Sequence, residues 1–356
     1  MDITGLEQKY QNFYVPASQI LVDGQDLLQA GVAVTNVSID NTLKGGDHFS
    51  FTVSNAFDVI AGDLLWLDLF AYGKKVEILM GYAGNLTLMH LGMITSIKVN
   101  YPAGSLPSMD VSGYDLSYMM TKTVASQSWN QVKHSDVARQ IADNYNLSST
   151  VDDTLVTYDK VTKDQQTDFA FLTKLAEDNY YEFFVFEKTL YFRIPTNTAD
   201  PMVELEWGKG LLSFSPELNL AGQVSQVEVH GWNPAAKKEI VGKAGIGDEL
   251  GKGGGKSGGQ LAQDLNNETV VERVNRPVFS QAEADQLAKA ILNQHAEGLI
   301  KGRGEFLGLP ELMAGRTILI NGLGSKFSKS YYIESTQHSI SGSGYRTTFN
   351  IKENCL

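Results

Sequence analysis

The side chains of this 356-residue chain best suited to chemistry are six histidines, adjacent carboxylate pairs such as Asp152-Asp153 and Glu177-Asp178, and one glycine–lysine run. Metal and hydrolytic centres draw on such residues at set spacings, as in His-Glu-x-x-His, which puts both imidazoles on one helix face. His48, His90, His134, His230, His295 and His338 instead stand singly, so no metal site is expected. His90, His230 and His338 fall in or beside β segments, where a hydrogen-bonded, partly buried imidazole is the expected state. Asp152-Asp153 and Glu177-Asp178 sit in loop or helix-end contexts and read as solvated charge. Glycoside hydrolysis would need two carboxyls facing each other across a cleft.

The run Gly251-Lys252-Gly253-Gly254-Gly255-Lys256-Ser257 resembles a phosphate-binding loop but misses its register by one, because Leu250 stands where the first glycine is needed. No apolar strand is expected before it, and no helix is expected to start at Ser257. Gly255-Lys256-Ser257-Gly258-Gly259 also matches Gly-x-Ser-x-Gly, yet a glycine run does not hold the strained turn that exposes a nucleophile. The aromatic run from Tyr180 to Phe186 reads as core beside a helix rather than a stacking platform. Cys355 is the single cysteine, so neither an intrachain disulfide nor a cysteine zinc site can form. No catalytic, metal-binding or cofactor-binding residue is assigned, and the chain is not expected to be an enzyme.

Composition narrows the partners. A formal net charge of −12 disfavours nucleic acid, whose phosphates call for surplus Lys and Arg. Val59 to Tyr72, the most apolar stretch, is broken by Asp63 and Asp68, and no membrane segment is expected. The N-terminus lacks the basic and apolar regions of a signal peptide, so synthesis in the cytoplasm without cleavable export is expected. Against this acidic background Lys237, Lys238, Lys243, Lys252 and Lys256 form a basic cluster, with Lys243, Lys252 and Lys256 as the candidate interaction loop.

The elements that would position these residues are mainly strands, as fifteen Tyr, sixteen Phe and many β-branched residues favour. One three-strand pattern occurs twice. Val76–Gly81, Leu91–Val99 and Met109–Tyr114 make the first copy, and Thr317–Gly322, Tyr332–Ile340 and Arg346–Ile351 the second, with centres Ile78, Ile94 and Val111 against Ile318, Ile333 and Phe349. Alternation also marks Phe49–Val53, Leu65–Leu69 and Gln223–Trp232 as strands. Ser135 reads as the cap of a helix carrying Val137, Ala138 and Ile141, a second helix follows between Thr167 and Asn179, and a hairpin turns at Glu187-Lys188. Ser280 and Glu283 form a capping box before a helix over 280–297.

The fold class is thus mainly β with an α+β insert: two β-barrels and a small α/β domain. The expected division is 1–114 with 203–232 as the first barrel, 115–202 as the α/β insert, and 233–356 as the second barrel. Strand Gln223–Trp232 is expected to complete the first barrel. The glycine–lysine stretch 242–259 is expected to be a mobile loop.

An ordered set of short motifs carries a resemblance. It comprises Gly113-Tyr114-Asp115, Phe169 and Leu172, Phe214-Ser215-Pro216, Gly231-Trp232, Glu283 with Asp285, Pro310, and Gly315-Arg316. In order and spacing the chain resembles the phage late control D family, the baseplate hubs of contractile tails and injection systems. The resemblance implies a homotrimer whose two tail-tube-like barrels per chain make a ring of six. A spike protein would lie below, and an inner tube or tube-initiator protein above. Baseplate and LysM-type adaptor proteins are further expected partners. Fused spikes of the VgrG type continue beyond the hub, whereas this sequence stops soon after Ile351, so a separate spike chain is expected unless the sequence is cut from a longer one.

Overall fold

The computed structural model describes residues 1–233, 236–251 and 255–356. Both predicted three-strand patterns are antiparallel meanders. Strand Lys75–Tyr82 pairs with Asn85–Asn100, which pairs with Ser108–Asp115. Strand Thr317–Asn321 pairs with Lys329–Ser341, which pairs with Gly344–Glu353. The likeness extends to backbone detail. Each long strand carries a β-bulge one residue past its centre, between Ile94 and Ser96 in one and Ile333 and Ser335 in the other. Each bulge is held by the same pair of bonds. Gly73 N–H donates to Ile94 C=O and Ile94 N–H to Lys74 C=O, just as Gly315 N–H donates to Ile333 C=O and Ile333 N–H to Arg316 C=O. Both glycines have positive φ, at 82° and 79°, a conformation that penalises a Cβ.

The second meander closes into a six-stranded barrel with Ile300–Leu307, Gly210–Leu218 and Val203–Trp207. The first meander adds Pro16–Val22 on one side and His48–Val53 then Val34–Thr42 on the other. It does not close on itself. Val34–Thr42 pairs instead with Lys329–Ser341 of the second barrel. That long strand changes partner at its bulge: residues 329–332 pair with Thr317–Ile320, and residues 335–340 pair with Val37–Thr42. One sheet of thirteen strands therefore runs through both barrels, over one continuous apolar core that includes Ile78, Ile94, Val111, Ile318, Ile333 and Phe349.

Two smaller units have cores of their own. The α/β insert packs helices His134–Asn144 and Asp168–Asn179 on the Glu182–Phe186 and Thr189–Arg193 hairpin, as expected. The other unit is a correction. Gln226–Asn233 does not complete the first barrel; it pairs with Lys238–Gly245 and Val271–Asn275 in a separate sheet under helix Gln281–Ala296. Val203–Trp207 and Gly210–Leu218 likewise join the second barrel, through Thr317–Asn321 and Ile300–Leu307. The interrupted barrel is thus the second one. Alternation showed that Val227 and Val229 bury one face, but it carries no information about which sheet receives them.

Three local expectations also change. Leu65–Leu69 is a turn rather than a strand, with Trp66 at φ 73° donating its indole N–H to Asn55 C=O. Ser135 lies inside its helix, and its backbone N–H is met by the Thr154 hydroxyl from another segment. A helix does begin after Ser257, over Gly258–Asn266, with Ser257 and Gln260 in a reciprocal capping box. Gly242 and Gly255 sit where another segment approaches closely, and residues 252–254 lie outside the described residues. A Cβ on Gly242 would lie 2.2 Å from the Ala284 carbonyl carbon, and one on Gly255 would lie 1.9 Å from Leu356 O. No helix among the described residues is long and apolar enough to cross a membrane.

Candidate functional site

The point where the long strand changes partner is also where all four units meet. On the barrel side, Leu43 N–H donates to Glu334 C=O, and Ala314 N–H donates to the Asn41 side-chain oxygen at 2.7 Å. Lys44 pairs with Glu334 at 2.6 Å. The Asn41 amide donates in turn to Asp47, whose backbone N–H donates to Asp115 at 2.7 Å. Asp115 also accepts from Ser117 N–H, so both its oxygens hold the end of the first barrel. Burial raises the Asp115 carboxyl to about 6. Asp47 is pushed up as well, by burial first and by Asp115 second.

The insert reaches this point through Glu182 and Arg193, opposite each other on its hairpin. Tyr332, on the shared strand just before the bulge, donates its phenol to Glu182. Arg193 pairs with Glu182 at 3.4 Å and donates to Gly315 C=O, which also accepts from the Thr196 hydroxyl. Lys352 ion-pairs with Glu297 past the end of helix Gln281–Ala296 and lies 5.5 Å from the Tyr332 ring centre. Tyr180 donates to Glu297 at 2.8 Å. Glu182 is 5% exposed, and burial lifts its carboxyl above the usual range although Tyr332, Lys352 and Arg193 oppose the lift. These groups border a cavity of about 610 Å³ between the insert and the Gln281–Ala296 helix, lined by Lys44, Phe169, Asp178, Leu287 and Ile291 among others. The arrangement is one of mutual neutralisation: its buried acids and bases already hold partners, which suits a rigid joint.

Of the motif residues, the structure brings Asp115, Phe169, Gly315 and Arg316 to this junction. Arg316 donates to Glu311 C=O and is partly desolvated, which lowers its pKa. Gly113 is packed so closely that a Cβ would fall 1.9 Å from Met93 O, while Tyr114 is exposed and stacks on Tyr118. Leu172 and Pro310 are buried, and Phe214 packs on Tyr331. Pro216 lies opposite Gly302. Gly231, Trp232, Glu283 and Asp285 belong to the separate small sheet and its helix. Gly231 abuts Val278, Trp232 is 55% exposed, Glu283 accepts from Phe279 N–H, and Asp285 accepts from Lys243 N–H. That Glu283 bond corrects the expected capping box, since Ser280 caps Glu283 but the return bond goes to Phe279.

Lys243 lies in a strand and pairs with Glu228 at 2.9 Å; Lys256 pairs with Asp264 at 2.6 Å; Lys252 lies outside the described residues. Ser257 is fully buried and donates to Glu249, so the phosphate-loop likeness has no open hydroxyl behind it. His90, His134 and His338 are buried with pKa values depressed by desolvation, to about 3, 4 and 4. His338 bonds to Leu312 C=O, Tyr345 and Thr347, whereas His90 Nε2 has no hydrogen-bond partner among the described residues, unlike the bonded state expected. His230 faces Glu239 and Glu228. Among the described residues no group of three or more His, Cys, Asp or Glu is placed to hold a metal ion. Of the aromatic run, Tyr180 and Phe183 are buried. Glu297 and Lys352 escaped the sequence reading, because nothing local marks partners that lie on separate units.

Several solved structures share this fold. The 43 kDa tail protein of prophage MuSo2 from Shewanella oneidensis has a TM-score of 0.71 at 11% identity, covering 94% of this chain and 97% of that one. The tail protein from Neisseria meningitidis MC58 has a TM-score of 0.69 at 14% identity, covering 96% and 97%. A chain of the lidded Francisella PdpA-VgrG complex has a TM-score of 0.56 at 10% identity, covering 95% of this chain and 52% of that one. At such identities the likeness is one of fold. No curated protein matches in sequence. The family model described as the Alg8 N-terminal domain matches residues 14–342, and the chain belongs to that family.

Proposed function

We propose that this chain is the structural hub of a contractile tail or injection machine, of the kind found in the late control D family. Three copies form a ring of six barrels, with a threefold spike below and the inner tube or its initiator above. The ring templates the first tube ring and lines a central channel, and no step in this role is catalytic. Baseplate and LysM-type adaptor proteins are further partners. Assembly into the particle follows synthesis in the cytoplasm.

The observation that carries this reading is the equivalence of the two meanders, down to the bulge and its glycine contact. A chain holding two copies of one module lets a threefold assembly present six similar edges. The tail-protein neighbours are consistent with it in fold. The exposed Lys243 and Lys256 amines, with Lys252, are proposed as spike contacts, because surface ion pairs exchange partners at little cost. Native mass of the protein, alone and with its spike protein, tests the reading. A trimer is expected, and a monomer under both conditions would overturn it.

A further inference from the structure

The two barrels meet along a strand edge that the molecule displays a second time with nothing paired to it. In the second barrel, residues 335–340 of the long strand lie past the bulge and take up Val37–Thr42. In the first barrel the matching residues follow Ile94. There the long strand has left Lys75–Tyr82, whose pairing ends at Met93, and it pairs only with Ser108–Asp115 on its other side. Among the described residues, no strand pairs with the free side of residues 96–100. Ser96 and Lys98 are exposed, and Tyr101 just beyond is 64% exposed.

Among the described residues the complementary edge is also unpaired. Val37 stands opposite Phe51, which stands opposite Val111; Phe214 stands opposite Gly304, which stands opposite Phe349. Since Val111 and Phe349 are equivalent, Phe214–Asn219 of the second barrel corresponds to Val37–Thr42 of the first. This segment pairs with Ile300–Leu307 on one side, and its contact with Val203–Trp207 ends at Leu211. Leu212 and Leu218 are 43% and 39% exposed.

We propose that Phe214–Asn219 of one copy adds antiparallel to Ser96–Asn100 of the next copy, repeating between chains the joint that unites the barrels within one. This rests on the reading of the chain as a ring subunit. Transferring the register Ser335–Thr42 through Ile340–Val37 sets Ser96 opposite Asn219, Lys98 opposite Glu217 and Asn100 opposite Ser215. Within the chain the position of the Lys98–Glu217 pair is held by Gln337 and Asp40, which hydrogen-bond at 2.8 Å. Opposite charges directly across an antiparallel pair favour that register over its slips. Tyr101 comes level with Phe214, and Ile97 with Leu218, so exposed apolar surface is covered on both copies. Pro216, in the place of Ile39, has no N–H to give, which shortens the ladder by one bond and leaves register to the side chains. The contact joins two different edges, so it is head to tail, the type of interface a cyclic ring uses.

Co-expressed single-cysteine proteins test the register. Both carry Cys355→Ser, with Lys98→Cys in one and Glu217→Cys in the other. Oxidation is expected to give disulfide-linked dimer at least about tenfold above either protein alone, because directly opposed strand residues lie within disulfide reach. If wild-type protein is multimeric by mass but the pair does not cross-link, this register falls and the hub reading stands. If wild-type protein stays monomeric with and without spike and no cross-link forms, both fall. As a second measurement, Lys98→Glu and Glu217→Lys should each lower the multimer fraction several-fold. The double reversal should restore it, and failure of that rescue would overturn the Lys98–Glu217 pairing.

Discussion

Tyr332 donates its phenol to both carboxylate oxygens of Glu182, at 2.7 and 2.8 Å, across 150 residues of chain. That bond ties the α/β insert to the strand shared by the barrels, immediately before the strand changes partner at Ile333. Arg193 fastens the same spot from the other side by donating to Gly315 C=O. Together they make the orientation of the insert depend on the barrel joint.

Tyr332→Phe removes a donor from a buried carboxylate and should cost about 1–3 kcal/mol. Urea unfolding followed by fluorescence measures the loss. A midpoint equal to that of wild type would show that Glu182 does not depend on Tyr332.

Asp115 makes stability depend on pH in a defined sense. Its folded pKa, about 6, lies above the ordinary value of 3.8, so its stabilising contribution is full below that ordinary value. The contribution is lost as pH rises through about 6. Asp115→Asn should lower stability near pH 4, where one backbone donor loses its acceptor, and the deficit should shrink as pH rises to 6. It should also flatten the decline between pH 4 and 6 by up to roughly 3 kcal/mol. Thermal melts across that range would reveal an unchanged slope if Asp115 were not the titrating group.

Gly315→Ala places a Cβ 2.7 Å from the Arg193 guanidinium on a backbone with φ 79°. Left-handed strain alone should cost about 1–2 kcal/mol. Hydrogen exchange should quicken at the hairpin that carries Arg193 and in the strand after Ile333. Exchange that changes in neither place would separate the glycine from the joint.

Ser257→Ala deletes the cap of helix Gly258–Asn266 and the donor to Glu249. A loss of about 0.5–2 kcal/mol is expected. The effect should be local, appearing as faster exchange at the Gln260 amide, which the Ser257 hydroxyl now accepts from. Protection retained at Gln260 would argue that the helix start does not rely on this cap.

Much of the fold was legible before any coordinates. The meander centres, the insert helices, the Glu187-Lys188 hairpin and the Ser280 helix were all readable, because alternation, helical spacing and caps depend on residues a few positions apart. The site was much less so. Gly315 and Arg316 were singled out as motif residues, but nothing in the sequence tied them to Arg193 or placed Glu297 beside Lys352. The stretch 242–259 was read as one mobile loop; residues 252–254 lie outside the described residues, and the described part contains the end of a strand and the start of a helix. Glycine content reads as freedom in a sequence, whereas Gly242 lies against the Ala284 backbone and Gly255 against Leu356.

By itself the sequence determined that one strand module occurs twice. Only the tertiary structure decided which edges meet. Val34–Thr42 turns away from its own barrel to Lys329–Ser341, and Gln226–Asn233 leaves both barrels for a sheet of its own. The physical reason is that side-chain alternation states which face of a strand is buried, while the backbone edge that chooses a neighbour is chemically much the same at every residue except proline. Partner choice is therefore settled by the packing of distant segments, and the bulge at Ile333 marks where that choice is made.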